Sequence, residues 1–350
     1  MRILLVSPGN NQKYGGGFYY AFHRRMMNGL IRNGHFVYPY SDRDTADYAL
    51  GVRRIGKWMA NQRLIEIAAE MKPAFVILLQ SHLIEPDYLQ QLRDAVPEVK
   101  IAAISIDDIQ HKTPADQFEH LLQGADFGFA TTGGETLRRF SSDKTVAFIP
   151  NPVDLSIDTE TAYASAVHDY DLIFAGHQPA TDPRWGLIDQ LLARLPVETR
   201  CGMFGKRQAR QLSGYGYIQA LGASKIGLNL NRRDGDLYAS DRMAQLLGNG
   251  LLLATNRASG YDAVFSDDEM LFFSSLEELA DRVAWALGSG DDWRTMARAG
   301  QDKAIATMSE TVVARFIVDL CFGHEISNEW AFKDHIFRAG DAARAVLAGA

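Results

Sequence analysis

Short apolar runs closed by turn residues alternate with helical stripes along this chain, and the alternation starts twice. The first series opens with "RILLVSP" (2–8), an apolar run of the length and flanks of a buried parallel strand. "NNQKYGGG" (10–17) reads as a loop. "FYYAFHRRMMNGLIRNGH" (18–35) places Phe22, Met26, Leu30 and Ile31 on one helical stripe, with Gly34 as the stop. Strands are expected at "FVYPYS" (36–41), "AFVILLQS" (74–81), "VKIAAISID" (99–107), "ADFGFATT" (125–132) and "TVAFIPNPVD" (145–154), with helices at 62–73, 86–94 and 134–140. The polar stretch 155–170 reads as a linker. The second series runs through "DLIFAGH" (171–177), a helix at 186–195, "TRCGMFG" (199–205), "KIGLNL" (225–230), "LLLAT" (251–255) and "MLFFS" (270–274). Ser275, three residues before Glu278, fits a capping box that opens a helix over 275–290, and one long helical pattern is expected from about 291 to 322. Strands alternating with helices predict an α/β fold: two Rossmann-like doubly wound domains, 1–160 and 168–322, facing across a cleft, with a partly helical tail at 323–350. Domains of this kind hold ligands at the carboxyl ends of their strands.

A chain of 350 residues is comfortable for two such cores. Its net charge of −7, with no long basic run, argues against binding along a nucleic-acid backbone and leaves room for a local anion site. Cys201 and Cys321 are far apart and offer neither a disulfide framework nor a thiolate metal site, so a reducing cytoplasm is the simple reading. The apolar part of "MRILLVSPGNN" is too short for a signal-peptide core, and no run approaches the roughly 20 apolar residues of a membrane span. The expectation is a soluble cytoplasmic protein, with peripheral contact at the inner face of a membrane left open. There is no HExxH or CxxC pattern for a metal and no GxSxG elbow, and no metal cofactor is expected.

Four stretches carry candidate chemistry. In "SPGNNQKYGGGFYY", Gly15, Gly16 and Gly17 stand between the first strand and the first helix, where bare backbone can approach a ligand; the alternative is a flexible turn. In "SIDDIQH", Asp107 and Asp108 follow a strand, and adjacent residues on extended backbone point opposite ways, so at most one enters a cleft. A carboxylate there can accept a proton from an attacking hydroxyl or bind a sugar hydroxyl, against plain loop capping. His82, in "LLQSHLIEP", also follows a strand and is a candidate for substrate contact. In "AGHQPATDPRWGLIDQLL", Gly176 ends a strand and Arg184 precedes a helix; with Lys206, after "GMFG", they form a second set of candidates, the cations suited to a diphosphate or simply solvated.

The fourth stretch is "YASDRMAQLLGNGLLLAT" (238–255). Ser240 or Asp241 can cap the helix that starts there. Arg242 is harder to explain, because a cation in the first turn opposes the helix dipole unless an anion sits above the same turn. It is therefore the candidate phosphate ligand, with Tyr238 beside it as a flank for a base or sugar.

These stretches, in this order and with "FSDDEMLFFSSLEELADRV" after them, resemble the GT-B glycosyltransferases, in particular the CgeB-like, glycosyltransferase family 1/4-like group. The resemblance runs to about residue 320 and is strongest over 238–287. It implies a second domain that holds a nucleoside diphosphate sugar of UDP or GDP type as co-substrate and a first domain that takes the acceptor, a glycan, a lipid-linked sugar or a protein. It further implies donor-diphosphate contacts from Arg242 and Arg184, a Gly15–Gly17 loop closing over the donor, Asp107 or Asp108 as the first-domain "DD", and a tail that crosses back onto the first domain. The expected activity is metal-independent transfer of a hexose or deoxyhexose in bacterial polysaccharide, glycolipid or glycoprotein synthesis, with a lean to retention at the anomeric carbon. The chain departs from the pattern where many relatives carry a glutamate before the paired glycines: here stand Ala244 and Gln245, and Asp241 is a possible substitute. A nucleotide-sugar epimerase of the same fold and a non-catalytic sugar-nucleotide-binding or scaffold protein are the alternatives. A nicotinamide enzyme is disfavoured by the missing glycine fingerprint.

Overall fold

The computed structural model describes residues 1–9, 15–48, 53–176, 182–205 and 212–348. The chain divides into two compact units, Met1–Gly16 with Ala21–Pro150 and Glu310–Ala350, and Gly17–Tyr20 with Asn151–Ser309.

The first unit begins with strands β1 (Arg2–Ser7), β2 (Phe36–Ser41), β3 (Phe75–Leu79), β4 (Lys100–Ser105), β5 (Phe127–Ala130) and β6 (Thr145–Phe148), all parallel in the spatial order β6-β5-β4-β3-β1-β2. Its inner strands are buried along nearly their whole length, because helices cover both faces of a parallel sheet. The intervening helices are α1 (Phe22–Arg32), α2 (Asp42–Asp47), α3 (Arg53–Met71), α4 (Pro86–Ala95), α5 (Lys112–Leu122) and α6 (Gly134–Arg138). Helix α1 starts at Phe22, four residues later than its apolar pattern suggests, since Gly15–Tyr20 are in turns.

The second unit holds β7 (Tyr170–Ala175), β8 (Cys201–Phe204), β9 (Ser224–Asn229), β10 (Leu252–Asn256) and β11 (Leu271–Phe273), a wholly parallel sheet in the order β11-β10-β9-β7-β8. Its helices are α7 (Arg184–Leu192), α8 (Gly214–Gly222), α9 (Asp241–Gly248), α10 (Leu276–Gly288) and α11 (Asp292–Met308). Phe174 and Trp185 meet edge to face at 5.5 Å in a core shared by β7, α7, α10 and α11. The Ser275 cap of α10 forms, with Ser275 Oγ accepting from the Glu278 amide at 3.1 Å, while the Glu278 carboxylate accepts from the amide of Ser274, one residue before the cap, rather than from that of Ser275 as in a full capping box.

Three boundaries differ from the sequence expectation. The stretch 155–170 is packed rather than a free linker: the Ala162 and Tyr163 amides donate to the Asn249 and Gly250 carbonyls, and Asp154 and Asp158 are buried. The second unit therefore starts at Asn151. The single helix expected over 291–322 is two, broken at the extended residue Ser309, and the chain rejoins the first unit at Glu310 rather than at 323. There α12 (Glu310–Phe322) lies against α1. Gly29 has no side chain to keep the Glu310 carbonyl away, Arg32 pairs with Glu310 at 2.6 Å, and Asn33 donates to the Thr311 carbonyl at 2.9 Å. This crossing turns the buried side of α1 toward Arg25 and Gly29 and leaves Ile31 exposed. Finally β12 (Ile336–Phe337) adds antiparallel to β6 at the sheet edge, before the closing helix α13 (Asp341–Ala348).

Candidate functional site

In the second unit, a cavity of about 140 Å³ opens where β7 ends and α9 begins, lined chiefly by Phe18, Tyr20, Tyr217, Asp241, Arg242 and Gln245. Gly176 follows β7 directly. A side chain there would come within 3.2 Å of an Arg242 Nη2, so glycine leaves the guanidinium its place. Arg242 is buried, with Nε donating to the Ala175 carbonyl at 2.8 Å, Nη1 to the Leu230 carbonyl at 3.3 Å, and its plane over the Phe174 ring at 4.6 Å. Nη2 has no partner among the described residues. Burial draws the Arg242 pKa down, and Arg184 adds to that, while Tyr217 and Asp241 oppose it. A desolvated cation with one open edge on a cavity is a strong anion ligand.

Arg184 lies behind it. Its Nε and Nη2 fork onto the two Asp182 carboxylate oxygens at 2.9 and 3.0 Å, and its Nη1 donates at 2.9 Å to the same Leu230 carbonyl that Arg242 uses. Those bonds hold the Asp182 carboxyl down at about 2. Arg184 thus braces Arg242 through a shared carbonyl and does not line the cavity.

Asp241 stands in the first turn of α9, where a negative charge suits the helix dipole. No side chain caps the helix through Ser240, so the capping expectation for Ser240 is not realised. Gln245, one turn on, donates from Nε2 to Asp241 Oδ2 at 2.9 Å and accepts the Tyr217 hydroxyl on Oε1 at 2.8 Å. Burial, with Asp241 nearby, pushes the Tyr217 phenol well up, so it stays a donor. Tyr20 packs on Tyr217 at 5.2 Å, and the Gly17 carbonyl accepts from the Gly214 amide at 2.8 Å. The Gly17–Tyr20 segment is in this way a wall of the cavity. Gly15 and Gly16 belong to the first unit, with open space where a side chain would stand, and Gly15 has φ +55°. Tyr238 is half-buried outside the cavity lining, its carbonyl accepting from Asn231 at 3.0 Å. Lys206 lies outside the described residues.

In the first unit the carboxylates after β4 diverge across a bend at Asp107. Asp107 is exposed and accepts from Gln80 Nε2 at 2.6 Å; Asp108 is buried and accepts from the Gln110 amide at 2.9 Å, with His111 at 3.6 Å. Gln80, which holds Asp107, takes φ +48° at the end of β3. His82 opens instead on another cavity, about 200 Å³, with Thr113, Asp116, Gln117 and His120. Burial and Arg43 lower its pKa to about 4. Among the described residues no hydrogen bond joins His82 to Asp107.

Sequence reasoning missed Tyr217, Asp182 and Gln80. Tyr217 hid in "GYGYIQALG", whose glycines argue against the helix that forms. The spacing of Asp182 and Arg184 in "TDPR" was a usable signal for a local pair.

Residues 184–319 match the model of the family described as glycosyl transferase-like. No curated protein matches the chain. Among solved structures, sucrose-phosphate synthase from Thermosynechococcus elongatus aligns with a TM-score of 0.64 at 12% identity, over 91% of this chain and 98% of that one. The Anabaena protein HepE in complex with UDP and glucose aligns at 0.60 and 11%, over 92% and 100%. A UDP-N-acetylglucosamine 2-epimerase aligns at 0.51 and 12%, over 92% and 96%. The fold is that of the GT-B glycosyltransferases, two α/β domains with parallel-strand sheets, and the second domain carries most of the glycosyl transferase-like segment. Among the described residues no helix is long and apolar enough to cross a membrane.

Proposed function

We propose that the chain is a glycosyltransferase that moves a sugar from a nucleoside diphosphate sugar to an acceptor hydroxyl. The observation that carries this reading is Arg242: a buried guanidinium, anchored by two carbonyls, with its open edge on a cavity at the carboxyl end of β7. The difficult part of such a transfer is the departure of the diphosphate as negative charge grows on it. Arg242 and the uncapped first turn of α9 face that charge and need no reorganisation when it develops. Arg184 keeps Arg242 in place and is a supporting group rather than a direct ligand in this reading. Binding of UDP by the Anabaena protein of the same fold supports a nucleotide donor.

On the acceptor side, Asp107 is exposed and oriented by Gln80: with inversion it would take the proton of the attacking hydroxyl, and with retention, where a donor phosphate oxygen can take that proton, it would hold the hydroxyl. We further propose UDP or GDP as the donor nucleotide, a hexosyl or deoxyhexosyl group, a metal-independent reaction with retention, and an acceptor made in a bacterial cytoplasm or at the inner face of its membrane. Epimerisation of a nucleotide sugar is the second reading, favoured by the fold shared with the 2-epimerase. Calorimetric titration of UDP, GDP, dTDP and CMP, with Arg242→Ala as control, tests the donor site: one diphosphate binds the native protein and not the variant. Failure of the whole panel on folded protein removes this reading and favours a scaffold. Diphosphate release that requires an acceptor separates transfer from epimerisation.

A further inference from the structure

A group of exposed apolar side chains stands at the start of α3. The inner face of this helix is ordinary core, with Ala60, Leu64 and Ala68 buried. Its outer face is divided. Gln62, Arg63 and Glu66 make the later turns polar, and Arg63 pairs with Glu66 at 2.7 Å. The earlier turns present Ile55, Trp58 and Met59, which are 44%, 55% and 39% exposed and stand at the spacing of one helical stripe. Gly56 lets the Ala46 carbonyl in against α3, so the end of α2 lies beside this turn, and there Tyr48 is 72% exposed. A helix that is apolar on both sides is normally covered on both.

Charge identifies the cover. Over 53–65 the helix carries Arg53, Arg54, Lys57 and Arg63 and no acidic residue, in a chain whose net charge is −7. Lys57 pairs with Glu85 and Arg63 with Glu66, so the net positive charge of the segment rests on the two arginines of the first turn. Aromatic and aliphatic side chains beside arginines at one end of a helix suit an anionic bilayer, whose headgroup boundary takes the rings and chains and whose phosphates take the cations. Other occupants fit less well. Four side chains fall short of the roughly 20–30 residues a side of a stable dimer, and a twofold contact would bring the same positive segment of two copies together. A nucleic acid would call for more cations and fewer apolar chains. We infer that the first turns of α3 dock this chain on an anionic lipid bilayer, with Ile55, Trp58 and Met59 entering the interface. Because α3 leads at Met71 into β3, it ends at the amino edge of the first sheet and begins at the carboxyl edge, the edge that carries Asp107. The docking does not rest on the donor-site reading; joined to it, the lipid surface lies on the acceptor side of the transfer.

The test is flotation of the intact protein with vesicles of phosphatidylcholine, with and without phosphatidylglycerol. The native protein should float with the anionic vesicles alone, and less as salt is raised. Trp58→Ser should weaken that binding about tenfold or more, through the loss of one aromatic side chain from the interface. Arg53→Gln combined with Arg54→Gln should remove the preference for phosphatidylglycerol. Trp285, 52% exposed on α10 of the second unit, supplies the control: Trp285→Ser should float as the native protein does. All these variants change surface positions and should keep the native thermal midpoint. A blue shift of the tryptophan emission on anionic vesicles, absent from Trp58→Ser, reads the same contact a second way. No flotation of the native protein, or flotation that Trp58→Ser and the arginine pair leave unchanged, overturns the docking. A native dimer in sedimentation equilibrium that Trp58→Ser dissociates, with no vesicle binding, also overturns it and gives the patch to a second copy. Nucleotide titration of Trp58→Ser keeps the two readings apart: native affinity there leaves the donor site standing whatever the vesicles show.

Discussion

At the edge of the second sheet, Arg242, Asp241, Gln245 and Tyr217 surround one cavity, the last three joined by successive hydrogen bonds and Arg242 fastened to two strand-end carbonyls. At the edge of the first sheet the candidates go to separate partners: Asp107 to Gln80, Asp108 to its own turn, and His82 to a different cavity with His120. On the proposed function, the difference follows from the work each edge would have to do. A diphosphate brings fixed charge, so its ligands gain from being set in advance and held by buried bonds. An acceptor hydroxyl brings no charge, and one correctly placed base is enough. The second edge is therefore the one whose chemistry can be read from geometry.

The comparison breaks most readily at Arg242. Arg242→Ala removes the one described cation with an open edge on the cavity, and nucleoside diphosphate affinity should fall by about a hundredfold or more, as loss of an oriented donor to a developing anion does. Retention of affinity within threefold, measured by calorimetry, places the diphosphate elsewhere. On the other edge, Asp107→Asn should lower kcat by roughly a hundredfold and leave the nucleotide Kd unchanged. A matching loss in His82→Gln, and none in Asp107→Asn, moves the base to the His82 cavity.

A third substitution separates bracing from binding within the second unit. Asp182→Asn leaves the buried Arg184 without its carboxylate and should cost about 3 kcal/mol of stability, read from denaturant unfolding of the intact protein. Nucleotide affinity should fall less than in Arg242→Ala, because the Leu230 and Ala175 carbonyls still hold Arg242. An equal loss of affinity with normal stability makes Arg184 a direct diphosphate ligand.

How much of this was legible in the sequence depends on the range of the interaction. The twofold series of apolar runs gave the α/β class because each run is a local signal of burial on both faces. Arg242 and Gly176 were legible for the same reason: a cation in a first helical turn and a glycine ending a strand are local conflicts that call for a ligand or a close neighbour. The Arg184 fork to Asp182 closes over two residues, yet its effect, removing Arg184 from the cavity, depends on the distant Leu230 carbonyl. The break at Ser309 was invisible because the apolar pattern continues through it, and only the packing of α12 on α1 decides which unit the second half joins. The Tyr217–Gln245–Asp241 chain links α8 to α9 across 28 residues and has no local signature.

The last expected effect lies in the first unit and concerns pH. Asp42, at the end of β2, is fully buried, and burial raises its carboxyl to about 6 from an ordinary 3.8, against the opposing Arg43 and backbone amides. His82 is shifted the other way, to about 4 from 6.5, by burial and then by Arg43. The folded form therefore holds the Asp42 proton more tightly than the unfolded chain does. Its contribution to stability is fully present below pH 3.8 and is lost as pH rises through about 6, a swing of about 3 kcal/mol. His82 is held neutral in the folded form, so its effect is absent above pH 6.5 and destabilises as pH falls toward 4. Burial lowers His23 to about 4 as well, so two histidine slopes oppose the one from Asp42, and the native protein should lose stability as pH falls from 6.5 toward 4. Asp42→Asn should steepen that acid loss, and His82→Gln should flatten it. Denaturation midpoints from pH 4 to 7 decide it: parallel curves for both variants and the native protein mean that neither group is desolvated in solution, and that the first edge is as open to water at Asp42 and His82 as it is at Asp107.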